Sequence, residues 1–202
     1  MANHIVHDIA ALEALYGQPG EASLIKVADQ LTPLYAKWIM ASRLCVVSTV
    51  GPEGTDGSPR GDDGPVVQVP DAKTLLLPDW RGNNRIDTLR NIVADGRISL
   101  MFVVPGSNNV IRVNGQAVVS LDPALLDRFD QKGRQPRSVI VITIKEVYSQ
   151  CARALMRAGT WSAGDESGDL PTIGEMLAEQ KDGFDGAEYD AAWGTRAAKT
   201  MW

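Results

Sequence analysis

The sequence is poor in the residues from which many catalytic centres are built. It holds only two histidines, His4 and His7, in 202 residues. A histidine-rich metal centre is therefore excluded, and a serine–histidine triad would need its histidine near the N-terminus. Two cysteines, Cys45 and Cys151, are too few for a disulfide scaffold or a four-cysteine zinc site. They are expected to be reduced, mostly buried thiols of a cytoplasmic protein. No apolar run approaches the roughly 18–20 residues of a membrane span. The first residues, Met1 to Asp8, lack the basic and apolar regions of a secretory signal, so no membrane partner is expected. No glycine-rich stretch matches a Walker loop or the dinucleotide fingerprint. The net charge of −5 argues against a nucleic-acid partner.

That charge is unevenly spread. Residues 165–190 carry nine acidic side chains against Lys181 alone, a net −8, which leaves the rest of the chain at +3. A mildly basic body with an acidic extension suits a protein that holds a small anion. The chain divides accordingly into residues 1–161 and an acidic extension, 162–202, whose aromatics Phe184, Tyr189, Trp193 and Trp202 imply docking on the body or on a partner.

The pattern along the body is helical, then β-rich. Ile5 to Tyr16 is apolar at helical spacing and stops at Gly17, with Pro19 beyond. Thr32-Pro33 is an N-cap followed by proline, opening a helix to about Ala41. Strands are expected at 44–50, 57–62, 66–69, 73–77, 98–104, 110–120 and 138–144, separated by Gly/Pro/Asn/Asp turns. Helices are expected at 84–94, from Asp122 to about Gln131, at 150–158 (with Ala152, Leu155 and Met156 as the apolar face) and at 172–180. About six short strands with few crossover-length connections predict an α+β chain built on a small antiparallel barrel with peripheral helices.

Three stretches could carry chemistry. In Leu75-Leu-Leu-Pro-Asp-Trp-Arg-Gly-Asn-Asn-Arg85 a strand ends in a turn rich in amide and guanidinium donors, just before a helix. Either this is a phosphate seat, or Asn84 caps the helix and Arg85 is a solvated charge. In Thr55-Asp-Gly-Ser-Pro-Arg-Gly-Asp62, Arg60 is either a second anion ligand or the charge of an edge strand. In Val110-Ile-Arg-Val-Asn-Gly115, Arg112 and Asn114 share the face opposite Ile111 and Val113, facing either a cleft or water.

In this order the three stretches resemble the pyridoxamine 5′-phosphate oxidase-like family of FMN-binding split barrels, over roughly Ile39 to Ile144. The long runs Gly54 to Asp62, Leu75 to Arg85 and Gln150 to Arg157 resemble a bacterial subgroup of FMN-dependent enzymes. The resemblance implies a six-stranded antiparallel split β-barrel with peripheral helices, forming a homodimer with FMN at the subunit interface. It implies that Ser58, Pro59, Arg60, Gly61 and Asp62 line the flavin, with Arg60 on its phosphate. It further implies that Pro78 and Asp79 lie beside the flavin ring, that Asn83, Asn84 and Arg85 form the phosphate turn, and that Arg112 belongs near the region through which a partner subunit reaches the flavin. Trp80 is the candidate lid over the ring. The chain departs from the true oxidases in three ways. Asn84 stands where they have a basic residue. Their strand-ending lysine has no clear counterpart, Gln68 and Asp62 being poor substitutes. Their Arg-x-His motif is absent. These departures imply that FMN is kept while the small-molecule substrate differs. The expected activity is that of an FMN-dependent oxidoreductase in which the flavin carries the redox chemistry. The alternatives are an F420-dependent reductase of the same fold and a non-catalytic flavin carrier or sensor.

Overall fold

A computed structural model describes residues 4–131, 133–151 and 153–200; Ala152 and Trp202 lie outside them. Three helices lead in: α1 (Ile9–Tyr16), α2 (Glu21–Ile25) and α3 (Pro33–Met40). Asp8 caps α1 by accepting from the Ala10 N–H, so this helix starts later than the apolar spacing suggests, and it buries none of its residues. Thr32 caps α3, with Pro33 in its first turn, and Ile39 enters the core.

Seven strands follow: β1 (Leu44–Gly51), β2 (Gly54–Gly61), β3 (Gln68–Asp71), β4 (Thr74–Asp79), β5 (Arg97–Val103), β6 (Val110–Ser120) and β7 (Ser138–Gln150). They form one antiparallel sheet in the order β2-β1-β5-β6-β7-β4-β3. The architecture is α+β, a split barrel whose sheet does not close by backbone pairing, and it has seven strands where six were expected. The seventh is the short edge strand β3, folded onto β4 around a turn in which Asp71 accepts from the Lys73 N–H. Val66 and Val67, expected to open a strand, are instead a buried plug, held by the Val66 N–H donating to the Ser42 carbonyl.

Alternation places the core. Cys45 and Val47 of β1, Leu75 and Leu77 of β4, Leu100 and Phe102 of β5, and Ile140, Ile142 and Ile144 of β7 point inward and are buried. A smaller apolar cluster of Leu76, Phe129 and Val139 lies on the other face of β4 and β7. It is covered by α5 (Pro123–Leu126), which Asp122 caps, and a following 3₁₀ turn, Asp127–Phe129. Helix α4 (Asp87–Ala94) packs against β1 with Thr88 and Ile92 buried.

β7 runs six residues beyond the expected Ile144, because the eleven-residue β6 offers Val110 to Asn114 as partners for Glu146 to Gln150. The ladder overrides the local helical spacing, so α6 spans only Arg153–Arg157. Cys151, expected to be mostly buried, is exposed just past the end of this ladder.

The extension forms α7 (Ile173–Gln180), α8 (Gly186–Ala191) and α9 (Trp193–Thr200). A capping box between Thr172 and Glu175 starts α7. Gly174 and Gly186 let α7 and α8 touch backbone to backbone: a Cβ on Gly174 would lie 2.1 Å from the Gly186 carbonyl oxygen. Asp190 accepts from the Gly174 N–H, and Arg196 lies over the Tyr189 ring at 4.2 Å. No helix among the described residues is long and apolar enough to cross a membrane.

Candidate functional site

β2 and β4 belong to opposite ends of the sheet order, yet the curl of the sheet brings their C-terminal ends together. The seam between them is made by side chains. Arg60 of β2 donates through Nη1 to Asp79 Oδ1 of β4, and both side chains are largely buried, at 20% and 15% exposure. One step along, Trp80 donates Nε1–H to Asp62 Oδ2 at 2.9 Å, and Gln131 donates to Asp62 Oδ1 at 2.9 Å.

Register explains the convergence. Arg60 pairs with the inward-facing Cys45, and Asp79 with Ser138, so all four lie on the inner face, where the apolar core gives way to polar residues. Two polar atoms are buried there without a hydrogen-bond partner: Arg60 Nε and Ser138 Oγ. A buried donor without an acceptor is costly, and it marks a place where a ligand oxygen would be welcome.

Burial pushes the Cys45 thiol up to about 12, with the Arg60 charge pulling weakly the other way. Cys45 is thus an inert neutral group under the site. Ser58 is half-buried on the same inward side of β2 as Arg60, while Pro59 and Gly61 face outward and are exposed. Pro78 is buried. Gln68, set against the missing strand-end lysine, bonds the Arg128 backbone and side chain instead.

The turn that the resemblance assigns to a phosphate follows directly from β4. Asn83 Oδ1 accepts from the Arg85 N–H at 3.0 Å, fixing a tight turn. Asn84 has φ +63°, the only positive φ at a non-glycine among the described residues. Asparagine tolerates this conformation better than most side chains. Asn84 is not the cap of α4: that position is Ile86, which makes no side-chain capping bond. Arg85 is exposed and paired with Asp87, Nη2 to Oδ2 at 2.9 Å.

Two residues of this neighbourhood went unrecognised in the sequence, Gln131 and Arg137. Arg137 Nη1 donates to Asn84 Oδ1 at 2.7 Å, and its backbone N–H donates to the Asp79 carbonyl at 3.0 Å. The available signal was the basic, proline-containing stretch Gly133-Arg-Gln-Pro-Arg-Ser138 just before a strong strand. Only the pairing of β7 with β4 brings it to the site.

Arg112 lies elsewhere, on the opposite face of the sheet. It sits over the Tyr148 ring at 5.3 Å and donates to Gln150. That face also carries an open cleft of about 690 Å³, lined by Ser48, Arg97, Ser99, Asn114 and Lys145 among others. None of the candidate flavin residues lines it.

The family described as Pyridoxamine 5′-phosphate oxidase matches residues 31–151. No curated protein matches the chain. Among solved structures, HupZ of Group A Streptococcus is 20% identical, with a TM-score of 0.49, over 59% of this chain and 93% of that one. An FMN-binding protein from Syntrophomonas wolfei is 12% identical, with a TM-score of 0.44, over 71% and 97%. A FAD-binding protein from Mesorhizobium loti is 15% identical, with a TM-score of 0.41, over 61% and 96%.

Proposed function

The chain belongs to the pyridoxamine 5′-phosphate oxidase family, and from that premise we propose that it is an FMN-binding flavoprotein, an oxidoreductase acting on a small organic substrate as a homodimer. The observation that carries this reading is the Arg60 guanidinium at the open end of the barrel, buried with its Nε unpartnered. The donor set suits the cofactor. A phosphate monoester is doubly charged near neutral pH and takes guanidinium and amide donors. Arg60, Asn83, Asn84 and Arg85 supply such groups around the β4–α4 turn. The apolar ring takes the wall made by Pro78 and Trp80, with Trp80 held on Asp62. When bound, FMN supplies the redox chemistry, and the chain holds and orients it and limits access of water.

The acidic extension leaves Ile173, Met176 and Trp193 exposed, as helix α1 leaves Ile9 and Leu15. In the proposed dimer these faces pack on the second copy.

The test is the visible spectrum of the protein as purified from cells without added cofactor, with mass identification of whatever denaturation releases. Two flavin bands and released FMN are expected, and both should vanish in the Arg60→Ala/Arg85→Ala double variant. A colourless protein that does not take up added FMN overturns the reading. Oxidation of a nicotinamide donor by the bound flavin distinguishes an enzyme from a carrier.

A further inference from the structure

Around the candidate phosphate turn two arginines, Arg81 and Arg137, have no carboxylate partner among the described residues, and of the two only Arg137 is tied to the turn by a side-chain hydrogen bond. Arg60 is matched by Asp79, and Asp62 adds a second carboxylate to the same seam. Arg85 is matched by Asp87. Neither guanidinium brings an uncompensated charge to a dianion. Arg137 does, because no carboxylate pairs with it among the described residues.

Its placement is fixed from both sides. Its backbone N–H is tied to the Asp79 carbonyl and the preceding Pro136 is buried, so the chain at the start of β7 is held against the end of β4. Its guanidinium is held by a single neutral acceptor, Asn84 Oδ1, and the remaining N–H donors stay available. Asn84 in turn is held in the left-handed conformation between Asn83 and Arg85. A guanidinium tethered to an amide at a turn of this kind is a donor fork oriented for a bidentate oxyanion.

We propose that Arg137 is a phosphate-binding residue of this site, delivering from β7 the positive charge that the turn lacks at Asn84. The ligand group is a phosphate monoester dianion, and the assignment to FMN rests on the function proposed above.

The experiment compares affinities of the full-length, flavin-stripped protein for FMN and for riboflavin, which lacks the phosphate, by quenching of flavin fluorescence. Arg137→Ala should weaken FMN binding roughly 10- to 100-fold, the range of a charged hydrogen bond, and leave riboflavin binding within about twofold. Arg137→Lys should keep much of the preference for FMN, since it keeps the charge. The salt dependence of FMN binding should become shallower in Arg137→Ala. Equal losses for both flavins, or a matching loss in Asn84→Ala with riboflavin also affected, would mean that Arg137 only props the turn, and would overturn the proposal. Unchanged FMN affinity in Arg137→Ala overturns it too, with the flavin reading intact. If the wild-type protein binds neither flavin, the flavin reading fails instead. The anion site is then judged by titrating inorganic phosphate against the Asn84 and Arg85 amide resonances: shifts that Arg137→Ala abolishes uphold it, and their absence overturns it.

Discussion

Arg60 and Cys45 occupy facing positions in one ladder, and a single choice of register settles the chemistry of both. Arg60 reaches past the core to Asp79, whereas Cys45 stays beneath it in apolar surroundings. The thiol's raised value, about 12 against an ordinary 9.0, has a pH consequence. The folded state favours the neutral thiol, so this contribution is complete below pH 9 and is lost as pH rises from there toward 12. The expected slope in that window is about 1.4 kcal/mol per pH unit. Chemical denaturation between pH 8 and 11 should show it, and Cys45→Ala should flatten it. A thiol-specific reagent at pH 8 should label Cys151 in the native protein and Cys45 only after unfolding. Much of this scale could be read from sequence. Arg60 and the Asn84–Arg85 turn stood out from the stretches that hold them, whereas Asp79 and Trp80 were singled out only through the family resemblance. Arg137 was not, because the basic, proline-containing stretch that holds it does not say which distant element it will meet. Its place beside Asn84 depends on the distant pairing of Asp79 with Ser138.

At the level of elements, the helix caps at Thr32, Asp122 and Thr172 stand where short-range chemistry put them. The departures come where a long partner imposes its own length. β7 continues to Gln150 because β6 is there to receive it, and the two strands absorb an irregularity at Asn114 and Gly115. At Gly115 the two backbones leave no room for a side chain: a Cβ there would lie 2.2 Å from the Thr143 carbonyl oxygen. Backbone cannot step aside as a flexible side chain can. Gly115→Ala should therefore destabilise the fold by about 2 kcal/mol or more, seen as a lower urea midpoint with an unchanged slope. An unchanged midpoint would mean that the ladder shifts register at no cost. The edge strand β3 was expected two residues early, at 66–69, since Val66 and Val67 carry more strand signal than the Pro70-Asp71 pair that ends it.

For the whole molecule, the proposed dimer makes a prediction about mass. Light scattering should give twice the 21.8 kDa of one chain. Removing residues 162–202 should weaken the dimer and leave the sheet folded, because α7 and α8 are held mainly by each other. A truncated chain that dimerises as tightly as the full one would place the extension outside the interface. The small antiparallel barrel was legible in the spacing of the strands and its split form in the family resemblance, but the seam was not, since it depends on which sheet ends the curl brings together. The order of the strands also sets a timetable for folding. Leu75 and Leu77 wait for Ile142 and Ile140, which come much later in the chain, and such distant pairings form slowly. During synthesis, β1 and β2 can pair early, while β4 has no main partner until β7 has emerged from the ribosome. Arg60 and Asp79 then meet among the last contacts, so a ligand of the seam would be acquired only after translation is nearly complete.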